Sequence, residues 1–256
     1  MGKNHSKIEN NDIYIITYNC QIKYFSNYKS NRLLNYILNL KNNNFVLCLQ
    51  GLYDNKTLTY IEDNIEKINI IKSDHENGLI VFSTYDIIYP EHLLFEIIDN
   101  NIIKSNKGFI SFNIGINNNL ISIYNTELQD DIHNNLCLNN IRLKQISEIL
   151  VFIAKKKKEE THLKLHIIVG ALYMNHIKSS KLHDVMSLFQ KNIITNIDTN
   201  VRDDYIIFFT EINYNIKELI NYMYDTYKIK IMNIIIREEM NFAKNLPCEI
   251  ILRIDT

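Results

Sequence analysis

Short runs of β-branched and aromatic residues alternate with segments of helical spacing, and this alternation constrains the fold more than any other feature of the chain. Runs rich in Ile, Val, Tyr and Phe predict buried strands. They cover residues 13–18, 45–49, 78–83, 110–114, 120–125, 165–169, 204–209 and 249–254. Apolar spacing predicts helices over residues 32–38, 57–68, 140–154 and 216–227. No repeat or Pro/Gly-rich linker interrupts the pattern, so the sequence predicts an arm over residues 1–11 and one domain over residues 12–256.

The composition is that of a globular protein without a marked charge. With 256 residues, 46% of them hydrophobic and 22% charged, the chain is long enough to bury a large core. Its formal net charge of −1 provides no general attraction to nucleic acid, so no nucleic-acid partner is expected. Four cysteines lie far apart without a C-x-x-C pair, which predicts neither disulfides nor zinc and indicates a reducing compartment. The N-terminus lacks a hydrophobic signal region, so we expect a cytoplasmic protein.

The first six residues, MGKNHS, fit the pattern for N-myristoylation of Gly2. The alternative is a chance match in a flexible polar arm. If Gly2 is acylated, the chain belongs to a eukaryotic cell or a eukaryotic virus and lies on the cytoplasmic face of a membrane. One myristoyl chain binds membranes only weakly, so a second membrane contact would be required.

Several stretches follow one another in a fixed order, namely TYN at 17–19, CLQGLYD at 48–54, GLIVFSTY at 78–85, KGF at 107–109, YNTELQ at 124–129, IIVGALY at 167–173 and DYI at 204–206. In order and spacing they resemble motifs of the endonuclease/exonuclease/phosphatase (DNase I-like) superfamily, nearest its neutral sphingomyelinase branch. That branch writes CLQEVFD, GLAVFSRY, NTHLQ and IIVGDLN at the corresponding places. The resemblance implies an α/β (α+β) fold, a four-layer sandwich of two facing mixed sheets flanked by helices. The active site would lie at one end of the sandwich.

The resemblance also implies a chemistry whose groups are missing from this chain. The superfamily hydrolyses phosphodiesters with Mg²⁺ held by carboxylates, and with a histidine that takes a proton from water. At the matching positions this chain has Gly51 for the Glu of LQE, Glu127 for the His of NTH, Ala171 and Tyr173 for the Asp and Asn of GDxN, and Leu246 and Pro247 for the Asp and His of the terminal SDH. Only Asn19 and Asp204 match among the polar site residues.

Three observations do not depend on this alignment. No Gln in the chain is followed by Glu, no Gly is followed by Asp, and no histidine occurs after His183. We therefore expect a pseudoenzyme without a magnesium cofactor, acting as a binding or scaffold protein. Its partner would be a membrane phospholipid or another protein.

The main alternative is an active phosphodiesterase with a relocated metal site. Glu127 would then offer a carboxylate, together with Asp130 and Asp131, whereas the simpler interpretation of Glu127 is a solvated loop acid. His162 and His166 share i, i+4 spacing but are expected to be surface residues near a strand rather than metal ligands. The lysine run at 155–158 fits a solvated helix end better than a phosphate-binding patch.

Overall fold

The computed structural model describes residues 12–96, 106–116, 119–129, 137–159, 163–173, 204–209, 229–236 and 248–254. The strands within these ranges are β1 (Asp12–Ile22), β2 (Asn44–Leu52), β3 (Asn69–Lys72), β4 (Ile80–Ser83), β5 (Ile88–Leu94), β6 (Gly108–Ile116), β7 (Asn119–Glu127), β8 (Leu163–Ala171), β9 (Asp204–Phe209), β10 (Ile229–Ile236) and β11 (Cys248–Ile254). The helices are α1 (Asn27–Leu40), α2 (Asn55–Glu62) and α3 (Cys137–Glu159).

The strands form two mixed sheets. The first has the order β10-β11-β1-β2-β4-β3 and the second β5-β6-β7-β8-β9. Each sheet has one parallel pair near its centre, β1 with β2 in the first and β7 with β8 in the second, and the other pairs are antiparallel. These central strands are buried on both faces, which explains the long apolar runs in β1, β2 and β8.

The two sheets face each other across an apolar core. Ile15, Val46 and Val81 of the first sheet pack in one cluster with Phe112, Ile123 and Ile167 of the second. Because side chains alternate between the faces of a strand, the other face of each sheet must also be covered.

Helices provide that cover on both sides. On the outer face of the first sheet, Leu33 and Ile37 of α1 and Ile61 of α2 share a cluster with Phe45. On the outer face of the second sheet, Ile149 of α3 packs in a cluster with strand residues that include Phe109 and Tyr124. The predicted four-layer sandwich of two mixed sheets and flanking helices is therefore confirmed.

Three regions differ from the sequence prediction. Instead of one helix over residues 57–68, α2 begins after Asp54, whose carboxylate accepts a hydrogen bond from the Thr57 backbone N–H at 2.7 Å, and it ends at Glu62. The strand β3 follows it, and neither β3, β5 nor β10 was predicted. The helix predicted over residues 216–227 lies outside the described residues. Among the helices of the described ranges, none has the length and apolar character needed to cross a membrane.

Buried amides join the two sheets near the end where β1, β2 and β7 finish. The Asn125 side chain of β7 donates to the backbone carbonyls of Leu49 and Ile80 in the first sheet, at 3.1 and 3.2 Å. Its oxygen accepts a 2.7 Å hydrogen bond from the side chain of Gln50, which also bonds Thr17. Since buried amides are costly unless they are paired, this network fixes the separation and register of the sheets.

Candidate functional site

The predicted site residues lie where the central strands of both sheets end. In the first sheet Asn19 of β1 pairs with Gln50 of β2, directly before Gly51. In the second sheet the backbone register places Glu127 of β7 beside Ala171 of β8, and Ala171 beside Asp204 of β9. Parallel strands finish at the same edge, so each sheet brings its own part of the predicted site together.

A hydrogen bond links these two groups of strand ends. The Asn19 side-chain N–H donates to the Tyr173 hydroxyl at 2.8 Å. Gly51 lies against the same asparagine, since a Cβ atom added to Gly51 would be 2.8 Å from the Asn19 Oδ1 atom. The structure therefore gathers Asn19, Gly51, Glu127, Ala171 and Tyr173 at one end of the sandwich.

Glu127 is the centre of this group, and its interpretation as a solvated loop acid is wrong. It is the last residue of β7, and only 5% of its side chain is exposed. The Lys107 ammonium lies 2.8 Å from Oε1, which also accepts a 3.0 Å hydrogen bond from the Tyr173 hydroxyl. The Tyr53 hydroxyl donates to Oε2 at 3.1 Å. One ammonium group and two phenols thus engage both carboxylate oxygens, an arrangement strong enough to keep an acid buried.

Sequence reasoning did not assign a role to Lys107 or Tyr53, although both belong to motifs it had identified. Lys107 precedes β6, which pairs antiparallel with β7 so that Phe109 faces Thr126. That register brings Lys107 next to the end of β7, where Glu127 lies. Tyr53 follows β2 directly, and its backbone N–H donates to the Ile22 carbonyl at 2.9 Å. A prediction of the β6–β7 register would have identified the ion pair.

Helix α3 holds the segment that follows Glu127. Arg142 is fully buried, and its Nε donates to the Gln129 carbonyl at 2.6 Å, while the Gln145 side chain accepts from the Gln129 backbone N–H at 2.9 Å. The Arg142 guanidinium also lies 5.8 Å from the centre of the Tyr173 ring. The Arg-x-x-Gln pair therefore positions both the chain after β7 and the aromatic side chain above Glu127.

The remaining candidates do not join this group. His166 was expected at the surface, which is wrong: it is fully buried, and its Nδ1 is 2.9 Å from the Tyr124 hydroxyl. It lies five residues before the end of β8, roughly 16 Å away along the strand. The carboxylate of Asp54 caps α2. Other residues singled out in the sequence lie outside the described residues, namely Gly2, Asp130, Asp131, His162, Leu246 and Pro247.

Burial determines the chemistry of the Cys48 thiol. Cys20 and Cys48 are both free thiols in the interior. Burial between the sheets raises the pKa of the Cys48 thiol far above its usual range, so Cys48 stays protonated and does not act as a nucleophile.

Solved structures with this architecture are found at low sequence identity, whereas no protein-family model and no curated protein matches the sequence. A beta toxin mutant from Staphylococcus aureus with bound magnesium ions is 16% identical, with a TM-score of 0.67 over 94% of this chain and 99% of that one. Sphingomyelinase C from Streptomyces griseocarneus is 12% identical, with a TM-score of 0.66 over 95% and 99%. TDP2 from D. rerio, complexed with a single-strand DNA product, is 11% identical, with a TM-score of 0.64 over 94% and 99%.

These sphingomyelinase-type toxins and TDP2 are members of the DNase I-like superfamily. This chain has the DNase I-like fold. Identities this low establish the fold alone, and one fold supports many activities. The function must therefore be argued from the side chains at the end of the DNase I-like sandwich.

The side chains that the structure describes at this end offer few ligands to a magnesium ion. Mg²⁺ prefers hard oxygen ligands in a near-octahedral shell, usually with at least one free carboxylate. Gly51 has no side chain, Ala171 offers a methyl group, and the charge of Glu127 is neutralised by Lys107. Within the described part of the chain, no three His, Cys, Asp or Glu side chains lie close enough together to hold a metal ion.

Proposed function

We propose that this DNase I-like protein is a pseudoenzyme, a binding or scaffold protein without phosphodiesterase activity. The observation that carries this proposal is the buried ion pair between Glu127 and Lys107, which is closed by the hydroxyls of Tyr53 and Tyr173. These groups satisfy one another and leave the carboxylate neither free to bind a cation nor available to accept a proton from water.

The chemistry of phosphodiester hydrolysis supports this conclusion. A metal ion stabilises the charge that develops on phosphate and orients the attacking water, while a general base takes the proton from that water. Removing one such group usually costs orders of magnitude in rate, and the losses of groups that act as a unit are not additive. At this end of the sandwich, the positions that resemble two metal ligands and a histidine carry Gly51, Ala171 and Glu127.

Binding is the function that remains for a retained fold with these substitutions. We propose that the partner is a membrane phospholipid or a protein, and that the protein acts at the cytoplasmic face of a membrane in a eukaryotic cell or a eukaryotic virus. Myristoylation of Gly2 would supply one membrane contact, and a single acyl chain needs a second contact for stable binding. The near-neutral net charge of −1 argues against a nucleic-acid partner.

A hydrolysis assay tests the proposed lack of activity. We expect the full-length protein, with Mg²⁺ present, to release no phosphocholine from sphingomyelin and no nitrophenol from bis(p-nitrophenyl) phosphate above the rate with EDTA. Sphingomyelinase C from Streptomyces griseocarneus is the positive control in the same buffer and vesicles. Hydrolysis that depends on Mg²⁺ and is lost in a Glu127→Gln variant would contradict the proposal and establish a relocated active site.

A further inference from the structure

The charged side chains between Asp12 and Asp54 are all basic. This segment contains no Asp or Glu, but it contains Lys23, Lys29, Arg32 and Lys41. This local charge of +4 contrasts with the net charge of −1 for the whole chain. The segment comprises β1, α1 and β2, so the basic residues belong to one contiguous part of the fold. A local positive surface attracts anionic partners even on a protein with almost no net charge.

Aromatic side chains project from the same segment. Tyr24 is 83% exposed, Tyr28 is 64% exposed and Phe25 is 41% exposed. With Tyr53, they account for four of the seven large exposed apolar side chains among the described residues, and Tyr24, Phe25 and Tyr28 lie within five consecutive positions of the chain. We refer to Lys23, Tyr24, Phe25, Tyr28, Lys29 and Arg32 as the aromatic–basic surface.

The aromatic–basic surface is held in place by its own contacts. The Arg32 guanidinium donates to the Tyr28 hydroxyl at 2.8 Å and lies 5.5 Å from the centre of its ring. The Phe25 ring packs edge-on against Tyr60, with 6.3 Å between the ring centres. These contacts restrain Phe25, Tyr28 and Arg32 before any partner binds, which lowers the entropy lost on binding.

We propose that the aromatic–basic surface docks on the surface of a membrane that contains anionic lipid. Tyrosine and phenylalanine favour the boundary between water and acyl chains, where the ring is buried and a hydroxyl stays hydrated. Lysine and arginine add attraction to anionic head groups. This proposal rests on the membrane association in the proposed function and identifies the second contact that a single acyl chain requires.

The exposure of these rings favours a membrane over a nucleic acid. Proteins that bind single-stranded nucleic acid stack bases in a positively charged groove that follows the phosphate backbone. Tyr24 and Tyr28 instead stand far out of the surface on the loop after β1 and on the first turn of α1, where they can enter a bilayer interface. The three basic residues of this surface, Lys23, Lys29 and Arg32, also provide a modest attraction that suits a lipid surface with many weak contacts.

Docking would place the candidate site next to the membrane. Lys23 and Tyr24 follow the end of β1 that carries Asn19. Tyr53, which bonds Glu127, also donates its backbone N–H to Ile22 at 2.9 Å. The end of the sandwich that holds the Lys107–Glu127 pair would thus face the lipid, with Tyr53 between the aromatic–basic surface and the buried ion pair.

Vesicle binding of the full chain tests the proposal independently of acylation. All proteins carry Gly2→Ala, so that no myristoyl group can form, and they are mixed with vesicles of phosphatidylcholine alone or with about 30% phosphatidylserine. We expect binding to the mixed vesicles that weakens with salt. Lys23→Gln with Lys29→Gln should weaken this binding roughly 20-fold, and Tyr24→Ser with Phe25→Ser roughly tenfold. Tyr89→Ser, which changes a tyrosine on β5 that is also well exposed, should alter it less than about twofold.

Three results would overturn the proposal. The first is no binding to either kind of vesicle. The second is binding that does not depend on phosphatidylserine, or that falls as much in the Tyr89→Ser control as in the double variants. The third is that the same double variants abolish a stable dimer or retention on single-stranded DNA while vesicle binding persists. None of these results depends on the hydrolysis assay, so a failure of membrane docking is distinguishable from a failure of the proposed inactivity.

Discussion

Substituting Lys107 by Met is expected to lower the free energy of unfolding by about 3–5 kcal/mol. Met keeps most of the volume and the apolar stem of the lysine, but it removes the ammonium group 2.8 Å from Glu127. The Glu127 carboxylate would then be buried with two phenol donors and no neutralising charge. A buried charge without its counter-ion is among the most destabilising changes that a single substitution causes.

Chemical and thermal denaturation measure this effect, with a midpoint lower by roughly 10 °C for a chain of this size. Lys56→Met, on the exposed side of α2, is the matched control and should change stability by less than about 0.5 kcal/mol. A Lys107→Met/Glu127→Leu double variant should recover much of the loss, because apolar pairs often replace buried ion pairs without cost. If Lys107→Met is as stable as the control, the ion pair is not the structural centre of this end of the sandwich.

Substituting Gly51 by Glu is expected to destabilise the protein by about 4–6 kcal/mol without creating metal-dependent hydrolysis. Gly51 has a φ of +71°, which strains any residue with a side chain. Its new Cβ would lie 2.8 Å from the Asn19 Oδ1 atom and 3.0 Å from the Gln21 backbone nitrogen. Asn19 cannot move away without disturbing its hydrogen bond to Tyr173. The new carboxylate would also be buried, because Gly51 itself is buried.

The Gly51→Ala variant separates the loss of stability caused by backbone strain from the loss caused by burying a charge. Alanine meets the same strain and the same close contacts, so it should cost about 2 kcal/mol, and glutamate should cost clearly more. Denaturant titrations of both variants, with and without Mg²⁺, provide the comparison. Equal stability of Gly51→Glu and the unmodified protein would contradict the predicted strain at this position. Stabilisation of the variant by Mg²⁺ would mean that one substitution can rebuild a metal site.

The layers of the fold could be predicted because they follow from local periodicity. Strands such as β2 and β8 are buried on both faces and read as continuous apolar runs. Gly170 was part of a recognisable motif, and the structure explains its identity: a Cβ there would lie 1.8 Å from the Thr126 carbonyl oxygen, with φ at +145°. Constraints of this kind act over a few residues, so a single sequence displays them.

The elements that were missed have weaker local patterns. β3 has four residues that alternate little in burial, and β5 contains Pro90 and a Glu, which are uncommon in strands. β10 is rich in Ile, and such a run fits a buried helix as well as a strand.

The interior of the candidate site depends on contacts between distant residues. Gly51 and Ala171 could be recognised as missing ligands from the motifs alone. The burial of Glu127 could not, because it results from Lys107, Tyr53 and Tyr173, which are brought to it by strand register and by the meeting of the two sheets. An acidic residue that precedes two further acids appears solvated in the sequence, whereas in the fold it is the last residue of a buried strand.

Titration of the full-length protein with Mg²⁺ by isothermal calorimetry, beside thermal unfolding in Mg²⁺ and in EDTA, tests the central claim most directly. If an internal ammonium group neutralises Glu127 and the neighbouring positions provide no ligands, there is no saturable heat at millimolar Mg²⁺. The unfolding midpoint is then the same in both solutions, since only a ligand that binds the folded state stabilises it. Saturable binding with a higher midpoint in Mg²⁺, lost in Glu127→Gln, would contradict the account.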